Sequence, residues 1–459
     1  MSRIQPARRV AADVLAAVRT SDAYANLLLP TRIRDAKLNA ADAGFATELV
    51  YGTLRMQGWY DRVIELAARR SAAKIDPPVL DVLRLGAHQL LSMRTAAHAV
   101  LDESVELVRR ARKASATGFV NGVLRTISRE QPEVWRDRAL EGLSGDARLA
   151  VEFSHPEWVV AALAAALAQE GAETQLGDLL AADNAAPQVA LAALPGLADA
   201  GSLQATGRYL SGRLSPLALG STGGDPAANA EVVRGTVRVQ DEGSQLAALA
   251  LTRARDVVAG ERWLDLCAGP GGKAAVLAAE AAQHGARLTA NEVVPARAGL
   301  VRNALAPFDG RPGAPHVVVG DGRRYADAGE RFDRILLDAP CTGLGALRRR
   351  PEARWRKSPD DLVELTVLQA DLLDAAVAAL APGGVLAYVT CSPHPDETRA
   401  QVQRARERHP TLRTLDTPAV LERVARAPLN LPDAPSAQLW PHRHGTDAMF
   451  IQLLTTLEG

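Results

Sequence analysis

Cysteine is scarce in this chain. Three occur in 459 residues, Cys267, Cys341 and Cys391, and no two form a C-x-x-C pair. That removes a disulfide framework, gives no support to a metal site and suits a reducing compartment. Aromatic residues make up only 4% of the chain, while alanine and arginine abound. That bias reads as genomic base composition before it reads as function. MSRIQPARRVAADVL holds no apolar core of signal-peptide length, and no run of about 18 apolar residues offers a membrane span. A cytoplasmic protein without membrane contact is expected. Net charge is missing too, with 53 basic and 53 acidic residues. The balance hides an asymmetry, because residues 1–140 hold 22 Lys/Arg against 15 Asp/Glu. A basic front end suits a polyanionic partner, although solvated arginine faces would look the same.

What is present is enough apolar sequence, 47%, to bury real cores. Residues 1–140 read as an all-α bundle. Val10, Val14, Leu15 and Val18 recur at helical spacing, as do Phe119, Val120, Val123, Leu124 and Ile127. Residues 141–235 read as a small α+β connector, with GSTGGDPAANAE as a loop by composition. Residues 236–459 change rhythm. RWLDL, RLTANEV, HVVVGD, DRILLDA and VLAYVTC are short β-rich runs with helical segments between them, which implies a doubly wound, Rossmann-like α/β sheet. The helix at 359–380 has its start written out: Ser358 as cap, Pro359 at the first position, Asp360 and Asp361 at the positive end. Pro382-Gly383-Gly384 should stop it.

Polar or reactive residues gather where each run ends, which is where ligands bind in such sheets. Cys267, Ala268, Gly269, Pro270, Gly271, Gly272 and Lys273 form a glycine-rich turn after RWLDL. It is neither G-x-x-x-x-G-K-[ST] nor G-x-G-x-x-G, so neither a P-loop nor a dinucleotide fingerprint is present. Glu292 lies 20 residues beyond Gly272, the place of a carboxylate that accepts from ribose hydroxyls. Asp321 can meet an adenine amino group, although an ordinary turn Asp beside Gly322 looks the same. Asp338 and Cys341 flank a proline at one run's end, and Cys391 ends another. Either cysteine alone reads as a small core residue. Two at the ends of runs in one nucleoside-binding sheet read as chemistry. Between them Arg348, Arg349, Arg350, Arg354, Arg356 and Lys357 cluster with one Trp, a pattern suited to phosphates and a stacked base. His442 and His444 lack companions for a metal and read as loop residues.

DLCAGPGGK, NE, GDG, DAPCTGLG and TCS, in this order, resemble the motif set of RNA cytosine-5 methyltransferases. AYANLLLP, ATELVYGTLR, VLRLGAHQLL and GFVNGVLR are similar to the NusB-like RNA-binding domain fused to some of them. The combination resembles the bacterial Sun/RsmB type, which modifies 16S ribosomal RNA. The resemblance implies S-adenosyl-L-methionine as cofactor, held by Cys267 through Lys273, Glu292, Asp321 and Asp338. It also implies an RNA partner, no metal and a monomer. Such chemistry explains two thiols. Cytosine C5 is a poor nucleophile, and a thiolate added at C6 makes it enamine-like. The residues alone do not say which cysteine attacks. The resemblance gives attack to Cys391 and product release to Cys341. It also departs from the pattern at S-P-H-P after Cys391, where an aliphatic residue is expected. Two other readings compete: an RNA-binding assembly factor carrying a relic sheet, opposed by the intact motif set, and a nucleotide-dependent oxidoreductase, opposed by the missing G-x-G-x-x-G.

Overall fold

The computed structural model describes residues 4–21 and 23–456, with only the backbone of Ala227. The first three positions of the amino-terminal stretch read above lie outside them. Two compact units emerge. One comprises Met1–Ala164, Thr174–Ala185 and Leu347–Arg356, the other Ala165–Glu173, Ala186–Ala346 and Lys357–Gly459.

The first unit contains no strand among its described residues. Its helices follow the apolar periodicity. Pro6–Thr20 buries Val10, Val14, Leu15 and Val18, and Thr117–Ile127 buries Val120, Val123, Leu124 and Ile127. Gly52, on helix Ala40–Arg55, lets helix Pro77–Leu91 approach closely: a Cβ there would stand 2.1 Å from His88 Cε1.

The arginine-rich segment is the main correction to the sequence reading. Leu347–Arg356 belongs to the helical unit, and much of it is interior. Arg354 is 0% exposed. Its guanidinium donates to the carbonyls of Arg55 (3.3 Å), Ser154 (2.9 Å) and Asp183 (3.3 Å) and to Asn184 Oδ1 (2.9 Å). Arg356 donates to the Val18 and Ala23 carbonyls at 2.8 and 2.7 Å. Arg350 and Arg356 both stack on Tyr24. Glu352, also buried, accepts the Ala25 N–H that opens helix Ala25–Asp35, where a carboxylate complements the helix dipole. A guanidinium engaged with four backbone and amide acceptors is not offered to phosphate. The expected RNA contact by this cluster therefore fails at its centre.

The second unit carries two sheets. Residues 141–235, read as a connector, send helices to the first unit and most of a four-stranded antiparallel sheet to the second. Its strands are β1 (Ala190–Ala193), β2 (Tyr209–Ser211), β3 (Ala218–Ser221) and β4 (Val237–Val239), in the order β2-β3-β1-β4. The large sheet contains β5 (Arg262–Asp265), β6 (Arg287–Glu292), β7 (His316–Val319), β8 (Phe332–Asp338), β9 (Leu380–Thr390), β10 (Leu412–Thr414), β11 (Ala437–Gln438) and β12 (Phe450–Thr456). The order is β10-β12-β9-β8-β5-β6-β7, with β11 beside β12. The five strands from β9 to β7 run parallel, and β12 joins β9 antiparallel. This is the expected Rossmann-like sheet, extended by antiparallel strands.

The helix after Ser358 spans Pro359–Ala379, and Ser358 and Asp361 form a full capping box. Pro382-Gly383-Gly384, expected to stop the helix, is not what ends it. It lies within β9, whose pairing to β8 begins at Leu380↔Phe332 and shifts register before Arg334↔Val385. Strand pairing captures Leu380 before the proline can act.

Removing the Arg354 side chain leaves several buried acceptors bare. Arg354→Ala is expected to destabilise the helical unit by about 3–5 kcal/mol. Arg354→Lys should recover less than half of that, because one ammonium cannot span the same acceptors. Chemical denaturation followed by circular dichroism measures both.

Candidate active site

In the large sheet the chain starts at β5, builds β6 and β7 on one side, then crosses to build β8 and β9 on the other. The switch point therefore lies between β5 and β8, where open α/β sheets hold their ligands. The loops leaving the carboxyl ends of these two strands begin at Asp265 and Asp338.

The turn after β5 works because it lacks side chains. A Cβ on Gly269 would sit 2.2 Å from Glu292 Oε2. With none there, Glu292 accepts the Gly269 N–H at 3.0 Å through Oε2 and the Val294 N–H at 2.9 Å through Oε1. Arg297 closes the turn by donating to the Gly269 carbonyl at 2.6 Å. Gly271 has φ +103°, a conformation open to glycine, and the helix Gly272–His284 starts there. Cys267, Ala268 and Pro270 fill the same turn. Burial, with Asp265 and Asp338 nearby, pushes the Cys267 thiol far up, so it stays protonated. Val293 and Val294 stand exposed directly after Glu292. They offer an apolar surface that the sequence reading passed over, signalled only by two valines following a strand-end acid.

Lys273 Nζ lies 2.8 Å from Asp338 Oδ2 and links the β5 turn to the β8 end. Burial alone would lower the Lys273 pKa, but the Asp338 carboxylate outweighs it and the net direction is up. The same ammonium interacts with Cys391. Asp321, after β7, is less enclosed. Hydrogen bonds from the Arg323 guanidinium and backbone N–H hold its carboxyl below the usual range.

The two cysteines meet. Cys341 Sγ and Cys391 Sγ are 3.5 Å apart. The shared hydrogen bond and burial both push the Cys341 thiol upward. Both residues are only partly buried. His444, by contrast, is committed elsewhere: its Nδ1 accepts from the Trp440 N–H and its Nε2 faces the Leu429 carbonyl.

Residues 253–455 match the family model described as 16S rRNA methyltransferase RsmB/F, and residues 5–129 match the NusB family. Rv1407 of Mycobacterium tuberculosis, assigned as a methyltransferase, is 47% identical over 99% of this chain and 97% of its own length. Ribosomal RNA small subunit methyltransferase B of Pseudomonas putida is 33% identical over 89% of this chain and 91% of its own. The chain belongs to the RsmB/F methyltransferase family. The solved structure of PH0851, 21% identical, shares the fold across 99% of each chain with a TM-score of 0.81. As an RsmB/F-family member with a NusB-like helical unit, the protein is an S-adenosylmethionine-dependent RNA methyltransferase.

The residues present fit that cofactor. Asp265 is buried at the β5 end, and neither of its carboxylate oxygens makes a full hydrogen bond; the Cys267 backbone N–H gives only slight support. An ammonium group would satisfy it, and the Gly269–Gly271 cradle is space that a Cβ would fill. Asp265 was quoted in the sequence only as the start of the turn. Its isolation could not be read from spacing.

Burial, with Asp338 adding repulsion, pushes the Asp265 carboxyl up to about 8. Between pH 4 and 8 the folded protein therefore holds a proton at this site that the unfolded chain has released. Stability falls as pH rises through that window, by up to about 1.4 kcal/mol per pH unit from this group, and levels off above pH 8. Asp265→Asn removes that slope. The cofactor-free variant is expected to gain melting temperature relative to the parent, and the gain should grow from pH 5 to pH 8 in differential scanning calorimetry.

Proposed function

We propose that this methyltransferase modifies carbon 5 of a cytosine in 16S ribosomal RNA through a covalent protein–RNA adduct. The observation that carries the reading is the pair of sulfurs 3.5 Å apart at the β8 and β9 ends, beside the glycine turn. A pyrimidine ring placed there meets both thiols. Methylation at an exocyclic nitrogen or a ribose oxygen needs neither.

In this reading Cys267 through Lys273, Glu292, Asp321 and Asp338 hold S-adenosyl-L-methionine, which supplies an electrophilic methyl group. Glu292 keeps lone pairs for ribose hydroxyls, and Val293 gives a purine an apolar floor. Cys391 attacks. Its sulfur bonds to C6 and the electrons of the C5–C6 double bond make C5 nucleophilic. Once C5 carries the methyl group, loss of the C5 proton restores the double bond and expels the Cys391 thiolate. Cys341, close enough to exchange a proton with Cys391, assists that release. Lys273 favours the thiolate electrostatically. The basic surplus of residues 1–140 suits the RNA strand.

The roles separate by substitution. Cys391→Ala is expected to abolish methyl transfer to cytosine. Cys341→Ala is expected to leave a covalent protein–RNA band on denaturing gels. An adduct appearing with Cys391→Ala instead would reverse the two roles. Bisulfite sequencing of 16S ribosomal RNA with and without the active gene should show one protected cytosine disappear.

A further inference from the structure

Glu397 was not singled out in the sequence, yet it is 0% exposed and lies between the two thiol loops. Its Oε1 accepts the Thr342 N–H at 2.8 Å and the Gln369 side-chain amide at 3.0 Å. Its Oε2 accepts the Thr342 hydroxyl in a short bond. Thr342 follows Cys341. Its Oγ1 also lies 3.0 Å from Ser392 Oγ, and Ser392 follows Cys391. Since the Thr342 proton goes to the carboxylate, Ser392 is the donor in that second bond. Ser392 Oγ in turn accepts the His394 N–H at 3.2 Å. The result is a one-way chain, His394 to Ser392 to Thr342 to Glu397, anchored by a buried carboxylate.

Three further bonds brace it. Gln369 donates to the Pro340 carbonyl at 2.8 Å, and Gly345 N–H donates to the Cys391 carbonyl at 2.9 Å. Tyr388 OH fixes the Glu397 backbone carbonyl at 2.8 Å. The S-P-H-P run makes this possible: Pro395–Glu397 forms a single 3-10 turn that brings the carboxylate back under both loops.

We propose that Glu397 is the positioning residue of the thiol pair: its carboxylate sets the distance between Cys341 and Cys391 by gripping Thr342, which follows Cys341 and in turn holds Ser392, which follows Cys391. The proposal rests on the cysteine chemistry above only for its catalytic consequence. The spacing itself is testable without RNA.

Phenylarsine oxide reports the spacing directly. Two thiols displace its oxygen as water, each giving up one proton, and two As–S bonds form at one arsenic. The full-length parent protein should bind one equivalent, and Cys341→Ser or Cys391→Ser should abolish chelation. Glu397→Ala is expected to weaken binding by about tenfold or more, because a displacement on the order of 0.5 Å is enough to spoil a two-point site. Glu397→Gln keeps the Oε1 acceptor, and its amide can donate to Thr342 Oγ1, so it should bind within about threefold of the parent. Thr342→Val keeps the backbone N–H but breaks the hydroxyl chain, and should weaken binding by about fivefold. It serves as the deciding variant if Glu397→Ala does not fold.

Methyl-transfer kinetics complete the test. Glu397→Ala should lower kcat about 100-fold, as a 1 Å misplacement does, with the KM for S-adenosylmethionine nearly unmoved; Glu397→Gln should restore most of the loss. Parent-like arsenical binding in Glu397→Ala, or in Thr342→Val, overturns the proposal. Expected arsenical results combined with full methyl transfer by Cys391→Ala leave the positioning role standing and overturn the proposed cysteine chemistry instead.

Discussion

The register of β8 against β9 is the constraint on which the site depends. Asp338 pairs with Val389, so Cys341 lies three residues past one pairing partner and Cys391 two residues past the other. A slip by one residue would move one strand end by about 3.3 Å and turn its side chains to the opposite face. The two sulfurs would then no longer meet. The apolar residues that fix the register, Ile335, Leu336 and Leu337 against Leu386, Ala387 and Tyr388, are buried. Core packing thus determines a sulfur–sulfur distance several residues away. The register irregularity between Phe332 and Arg334 sits at the far end of the pair, where it leaves that distance untouched.

Around the thiols the charges are few and interlocked. Lys273 is the cation that Asp338 contacts, that lowers the cost of ionising Asp265, and that faces Cys391. One ammonium serves three acidic groups in a largely buried site. At Asp265 burial, with Asp338 beside it, outweighs that one cation, and the carboxyl holds its proton. A cationic cofactor entering such a site supplies what the protein has withheld. Arg334 shows the opposite arrangement at the amino ends of the same strands. Burial there opposes the Glu261 charge, but Arg334 and Trp263 N–H donors outweigh it and hold the carboxyl at about 2. The buried ion pair at that end is satisfied and structural; the cluster at the carboxyl end is not.

The sheet and the polar residues at its strand ends were legible in the sequence, because short β-rich runs ending in Gly, Asp, Glu or Cys carry their own period and punctuation. The helical front was legible for the same reason, through its 3.6-residue spacing. Three things were not. Arginine clusters carry charge but no sign of burial, and Arg354 spends its donors on carbonyls that every residue possesses. Glu397 acts on Thr342 across 55 positions, a closeness created by β8 lying beside β9 and by no local spacing. Asp265 reads as the ordinary end of a strand; its importance lies in the hydrogen bonds it fails to make. Motifs report which residues are near one another along the chain, whereas these three roles come from what surrounds a residue in space.

The proposed division of labour between the cysteines also turns on surroundings. By residue type they are interchangeable, and the motifs alone fit attack by either. In space they differ. The hydrogen bond is common to both sulfurs, but the Glu397 and Asp338 carboxylates disfavour a negative Cys341, whereas the Lys273 ammonium faces Cys391. For two thiols this close the first proton lost belongs to the pair rather than to one residue. The pair then holds one S–H and one thiolate. The S–H stabilises the thiolate beside it, and Lys273 stabilises negative charge on Cys391. In the proposed mechanism the proton stays on Cys341 and the negative sulfur is Cys391, the one that the Lys273 ammonium faces. That is the protonation state the proposed attack needs. The same retained proton, 3.5 Å from the departing sulfur, is the one that release can use.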